Sequence, residues 1–578
     1  MAQRSLSPLD NTIEGARMKR LPVPAGVVCA AGLMLGIVGD VLLRAEGEPA
    51  LNLFLFIKLC VIAALVLQHR AGRVVSGEGQ LLLGIGVLFA ATLVWRDAPL
   101  LKLTALAAAA VALALPAFRA GAAWARCAGI SQYIIGMAMA GVHAGLGTIL
   151  TLAAVDWGQL RNESNRSVAT RRALATARGV LLALPALAVF GGLLIAADAV
   201  FADLVTNTLR VDLELVASHI LVTGFLAWFA TGALTGFLRG TSKVVPAGFA
   251  PRGGVLGIGE IGVALGLISL LFAVFVVVQF RYLFGGAVLV EVTPGLTYAE
   301  YARRGFFELL AVVMLSLPLL LVADWLVRRD STLGVRVFRV VAGVQIVLLL
   351  AIATSALQRM RIYTQAYGLT EDRFHATAVL LLICAVLLWF AVTVLRDRRE
   401  SFAFGALVAA FLTGAALVVV NPDAVIARTN IDRALAQWNE TPPSQMADAS
   451  QQTETSPQTA ISPQTETSQQ TETSQQAGAA PPADASQASS PPMPSHAGAL
   501  DVVHATSLSA DAVPVLIERL PELEPVAQCR IAKRLLKRWG AEKELPLRSW
   551  NWSVSRAKHL IEQNEVALQA AAAIDCKS

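Results

Sequence analysis

Twelve apolar runs punctuate the chain before residue 421: 21–43, 50–68, 79–95, 99–118, 131–154, 178–200, 217–238, 257–280, 305–327, 336–357, 375–395 and 402–420. Each is about 17–25 residues long, enough for a helix to cross a hydrocarbon layer roughly 30 Å thick. Their interiors are rich in Ala, Leu and Val and apolar all round, with no face reserved for water. The pattern predicts an all-α, polytopic membrane domain over 21–438, preceded by a cytoplasmic segment over 1–20. Over 439–499 Gln, Thr, Ser and Pro take over, and QTETS recurs at Gln452–Ser456, Gln464–Ser468 and Gln470–Ser474. Such a stretch buries too little apolar area to offset chain entropy, so a disordered tether is expected. Helical patterning returns at Ala510–Leu520, Val526–Arg538 and Ser549–Leu568. A small helical C-terminal domain over 500–578 follows, too short for a generous core and expected to lean on the membrane domain or on a partner.

Basic residues set the orientation. The loops at 155–178, 239–252, 328–339 and 396–399 are the richest in Lys and Arg and are expected in the cytoplasm, as is the basic N-terminus. Parity then requires eleven crossings, with 131–154 re-entrant or interfacial. The alternative is twelve crossings with the N-terminus outside. Both readings place the tether and the C-terminal domain outside the cytoplasm.

The chain is 55% hydrophobic and 15% charged, against about 25% charged in soluble domains. A net charge of +6, carried in short loops beside apolar runs, reads as topology and not as a nucleic-acid surface. There is no phosphate-binding GxxxxGK loop, no HExxH and no CxxC pair, and no metal or other cofactor is expected. Cys29, Cys60, Cys127 and Cys384 fall in or beside apolar runs as packing residues. In an oxidising compartment Cys529 and Cys576 either form a disulfide or leave Cys576 as a free thiol near a frayed end.

Five polar motifs fall on the predicted outer face. They carry Asp198 and Asp203; Tyr298, Glu300, Tyr301, Arg303 and Arg304; Arg361, Tyr363, Tyr367, Glu371, Asp372 and Arg373; Asn421, Asp423, Arg428 and Arg433; and the two tail segments Leu508–Pro514 and Arg548–Trp552. Thr297 and Thr370 suit helix N-caps, and Glu300 completes a capping box. Tyrosines suit the interfacial belt. Arginines are disfavoured outside, so this cluster either pairs with the neighbouring aspartates or binds an anion. Within the runs stand Asp40, Lys58, Lys102, His143, Glu260, Glu308, Asp324 and Gln345. Lys58, Glu260 and Glu308 are candidates for a sheltered polar cavity, because a charge in the bilayer is costly unless sheltered. A packed histidine suits His143 better than a metal ligand.

GLTYAEYARRGFFEL (295–309), YGLTEDRF (367–374), NPDAVIARTNIDR (421–433), LSADAVPVL (508–516) and RSWNWS (548–553) resemble the bacterial multi-pass membrane proteins of the domain of unknown function family 4173 (DUF4173), close to family 4153 (DUF4153). The resemblance covers about 197–433 and the tail. It implies a bacterial inner-membrane protein and supplies no catalytic residue. The QTETS tether is not part of the family pattern.

The functional expectation is a non-enzymatic envelope protein, a transporter or sensor component. On its outer face it would bind an anionic lipid, a glycan precursor or a protein partner. The alternative is a polytopic transferase using a lipid-linked substrate, with Asp198, Asp372 or Asp423 as base. A channel is less favoured, since no segment resembles a selectivity filter.

Overall fold

The computed structural model describes residues 21–44, 47–118, 129–155, 213–239, 256–291, 298–328, 332–440, 500–540, 546–574 and 576, with isolated positions between 176 and 198. Side chains at 213, 280–304, 333, 366, 439 and 440 are not described. The N-terminal segment 1–20, the tether over 441–499 and most of the run at 178–200 lie outside the described residues.

The described residues are mostly helical, joined by turns and short loops, with an isolated bridge between Leu256 and Val327. Eleven helices are long and apolar enough to cross a membrane. They are α1 Ala25–Leu43, α2 Leu51–Arg70, α3 Gly77–Trp95, α4 Pro99–Phe118, α5 Ile130–Ala153, α6 Leu213–Arg239, α7 Ile258–Glu291, α8 Tyr298–Leu326, α9 Thr332–Tyr367, α10 Glu371–Thr393 and α11 Phe402–Val420. The tail side adds α12 Pro422–Glu440, α13 Val502–Ser507, α14 Val513–Arg519, α15 Pro525–Trp539, α16 Trp552–Gln563 and α17 Glu565–Ala572.

Small residues bring the first helices together. Lipid supplies no hydrophobic drive between helices, so close backbone approach must do the work. Gly32 and Gly36 of α1 lie against Thr231 and Ala227 of α6, where a Cβ on Gly36 would fall 2.6 Å from the Cβ of Ala227. On α5, a Cβ at Gly147 would come within 2.9 Å of the Gly232 carbonyl of α6. The α7–α11 half packs around larger buried side chains, among them Phe306, Val313, Leu320, Leu349, Leu380, Leu387 and Phe390.

Contacts between helix ends sort them onto two faces. Arg548 of the tail donates to the Val41 carbonyl at the end of α1 (2.8 Å), and Arg44 donates to Ser218 near the start of α6 (2.7 Å). Arg96, after α3, reaches the Val418 carbonyl near the end of α11 (2.9 Å). All of these ends share the tail's face. On the opposite face Gln68 and Arg73 donate to Phe237 and Leu238 carbonyls, at 3.0 and 2.8 Å. Taken as spans, α4 ends on the far face and α6 begins on the near one, so the chain crosses an odd number of times between them. The segment expected to be re-entrant at 131–154 is instead one unbroken helix of 24 residues lying against α6. Its small faces (Gly147, Thr148, Thr151) fit a neighbouring helix. The basic flanks from which the re-entrant reading was drawn carry no information about that packing.

The tail solves its shortage of core by sharing one. Ile426, Ala427 and Ile431 of α12 pack with Leu508, Val513, Leu516, Ile531, Leu535, Ala557, Ile561 and Leu568 in a single buried cluster. Arg538 covers the end of α13, donating to the carbonyls of Thr506 and Leu508 at 2.8 Å each. Cys529 and Cys576 form a disulfide with Cα atoms 5.7 Å apart, so the free-thiol reading of Cys576 does not hold.

Candidate functional site

Two places on the tail's face gather polar chemistry. The first is the dock between the tail and the membrane helices. Asp511 opens the turn before α14 and is 4% exposed. Its Oδ2 accepts from the backbone N–H of Asp97 (2.6 Å) and Ala98 (3.1 Å), just ahead of α4. These are orphan donors at a helix start, where a carboxylate also suits the helix dipole. The exchange is reciprocal, because Asp97 Oδ2 accepts from the Ala510 N–H (3.0 Å). Arg96 donates to Asp511 Oδ1 (3.3 Å) and, through its other nitrogens, to the carbonyls of Val418 (2.9 Å) and Val419 (3.3 Å) at the end of α11. Lys102 reaches Asp97 and Glu48, both at 2.9 Å. Asn551 donates to the carbonyls of Leu93 (2.9 Å) and Arg96 (2.8 Å) at the end of α3, and Ser553 donates to Asp511 Oδ1 (2.7 Å).

Asp423, the first acidic residue of α12, completes this cluster. It is fully buried, and its Oδ2 accepts from both the N–H (2.9 Å) and the hydroxyl (2.5 Å) of Ser509. The two cations of the dock, Arg96 and Lys102, sit on Asp511 and Asp97, leaving Asp423 with dipoles only. Oδ1 of Asp423 and Oδ1 of its neighbour Asn421 have no hydrogen-bond partner. Burial pushes the Asp423 carboxyl above the usual carboxylate range; the two Ser509 hydrogen bonds oppose this, and the nearby Asp511 and Asp97 add to it. Asn421 itself is left-handed at φ 59° as it closes α11.

The second place is a crevice of about 550 Å³ between α9, α10 and α11, toward the ends that lie on the tail's face. Leu357, Met360, Leu381, Leu417 and Val420 give it apolar walls, while Arg361 and Thr377 supply polar groups. Arg361 is exposed, and no carboxylate pairs with it among the described residues.

The remaining candidates are dispersed. Arg373 stacks over Tyr363 at 4.0 Å and donates to the Gly368 carbonyl (2.5 Å), while Tyr367 packs against Tyr363 with ring centroids 5.2 Å apart. Glu371 and Asp372 occupy the first turn of α10. Arg428 lies 3.9 Å from Glu518 on an exposed surface. Asp198 is exposed, and its backbone N–H donates to the Leu194 carbonyl (3.1 Å). Tyr298, Glu300, Tyr301, Arg303 and Arg304 fall in the first turns of α8, and their side chains, like Asp203, lie outside the described residues. Glu260 accepts from the Gly257 N–H (2.9 Å) as a local cap. Lys58 and Glu308 are exposed on the helix surface, with no partner among the described residues. Among the described residues no group of three His, Cys, Asp or Glu is arranged to hold a metal ion.

Sequence reasoning passed over Arg96 and Asp97 and gave Lys102 only a place within an apolar run. The available signal was an Arg-Asp pair in a two-helix turn on the face expected to lie outside, where arginine is disfavoured.

The family described as "Domain of unknown function (DUF4153)" matches residues 83–452, and the chain belongs to it. The match runs from α3 past α12 and ends before the tail. No curated protein and no solved structure matches the chain.

Proposed function

We propose that this protein is a bacterial inner-membrane component, related to DUF4173 as well as to its own family, whose tail lies outside the cytoplasm. On that outer face it binds an anionic lipid or a lipid-linked glycan precursor, as part of a transporter or sensor and not as an enzyme. The observation that carries the reading is Arg361, a guanidinium that no carboxylate pairs among the described residues, lining a crevice that opens between membrane helices. The crevice has the volume of ordinary small-molecule sites. Its apolar walls suit acyl or prenyl chains, and a guanidinium is the cation best shaped to hold a phosphate. The carboxylate most suited to serve a transferase as base, Asp423, is sealed beneath Ser509, which favours binding over group transfer.

The test is lipid binding by protein in nanodiscs, with phosphatidylglycerol and a polyprenyl phosphate as probes. Arg361→Gln should weaken binding of one of them about tenfold, the loss of one charge-assisted contact. Equal binding by wild type and variant removes Arg361 from the site. A C-terminal alkaline phosphatase fusion should be active in whole cells, and an inactive fusion with a fluorescent cytoplasmic reporter would reverse the orientation.

A further inference from the structure

The tail segment Ser549–Ser553 inverts the pattern of a soluble protein. Its small polar residues are buried and its tryptophans face outward. Ser549, Asn551 and Ser553 are 3–5% exposed, whereas Trp550 and Trp552 are 37% and 40% exposed. The buried set explains the geometry. Asn551 is bound to the end of α3, Ser553 to Asp511, and Ser549 sits so close to Gly47 that a Cβ there would lie 2.7 Å from the serine hydroxyl. With every second residue clamped inward, the two indoles have to point out.

They do not point into open water alone. Trp550 and Trp552 join Phe54, Val94 and Trp95 around a cleft of about 350 Å³ at the outer ends of α2 and α3. Those helix ends mark the level at which hydrocarbon gives way to headgroups, the layer in which indole rings with one polar edge are most stable. Leu547 beside them is 82% exposed. Arg556 lies 5.2 Å from the Trp552 ring, and Arg548, two residues before the pair, is exposed while one of its nitrogens donates to the Val41 carbonyl (2.8 Å). Cations in these places meet lipid phosphates.

We propose that this segment seats the tail in the bilayer. Leu547, Trp550 and Trp552 lie in the headgroup layer of the leaflet on the tail's face. The cleft takes the glycerol and upper acyl region of one phospholipid, and Arg548 and Arg556 face the phosphates. The inference is independent of the crevice at Arg361.

The test uses the full chain in vesicles of phosphatidylcholine and phosphatidylglycerol, with the phosphatidylcholine brominated either near the glycerol or near the chain middle. The fluorescence difference between wild type and the double variant W550F/W552F isolates the two indoles. Bromine near the glycerol should quench that difference at least about twofold and more than bromine at the chain middle, and iodide in solution should leave it nearly unchanged. A difference signal quenched by iodide and untouched by either brominated lipid would overturn the proposal, placing the tail clear of the membrane; so would stronger quenching from the chain middle. Leu547→Cys carrying an environment-sensitive dye gives a second reading at a position that makes little packing contact. Its emission should shift to the blue on reconstitution, and emission unchanged from that in water also overturns the proposal.

Discussion

Replacing Asp511 by alanine tests the dock most directly. The substitution strands Arg96, whose side chain is 9% exposed, and leaves the N–H groups of Asp97 and Ala98 without their acceptor. Removing one partner of a buried ion pair costs about 3–5 kcal/mol, and each abandoned buried donor about 1–3 kcal/mol. Arg96 keeps the Val418 and Val419 carbonyls and its stacking on Trp95, and these losses share one network, so they do not add in full. A net loss of about 4 kcal/mol is expected, roughly a thousandfold shift toward the undocked tail. Asp511→Asn keeps an acceptor while removing the charge and should lose about half as much. Hydrogen exchange of the reconstituted protein reads the effect locally. The amides of 96–98 and 509–512 should exchange far faster in the alanine variant, while the α15 and α16 amides of the tail core stay protected. Exchange at 96–98 within about threefold of wild type would refute the account of the dock.

Asp423 sets a pH dependence. Its carboxyl is raised by burial, so the docked state holds a proton more tightly than the undocked one. Its contribution is intact below the ordinary carboxylate pKa of about 3.9 and is lost as pH rises through the elevated value of the docked state. Asp423→Asn should abolish that slope and strengthen docking at neutral pH, as followed by protease sensitivity of the tail across pH; an unchanged slope assigns the titration elsewhere. Cys576→Ser opens the 47-residue loop closed by the disulfide and should lower tail stability by about 2–4 kcal/mol, seen as earlier thermal exposure of α15; reductant should have no effect on the variant. Gly36→Val forces a side chain into the 2.6 Å approach to Ala227 and should cost about 1–3 kcal/mol or more through overpacking, read as a lower melting temperature in detergent. Gly26→Val, on the same helix with open space, should not.

The spans were legible because a helix crossing lipid must be apolar along its whole length, a signal visible within one window of sequence. The tail's helices were legible for the corresponding reason, their apolar periodicity. What the motifs do was not legible. Asp97 and Asp511 are 414 residues apart, and nothing at either position names its partner. LSADAVPVL and RSWNWS stood out as motifs, yet Ser509, Asp511, Asn551 and Ser553 proved to hold the tail onto α3, α4 and α12. At 131–154 charge counting read the basic flanks, whereas what positions that helix is the small-residue face it presents to α6. Arg361 was visible as an arginine on the face expected to lie outside, but that no carboxylate pairs with it among the described residues is a property of the fold.

Since α12 and α13 pack in one core, the chain leaves that core after α12 and rejoins it at Leu500. Closing a flexible loop between two fixed points costs only about 0.6 kcal/mol more for each doubling of its length. Repeat units such as QTETS can accumulate or drop out by replication slippage with almost no thermodynamic consequence. That makes 441–499 the natural place to splice in an affinity tag, a protease site or a whole fluorescent domain.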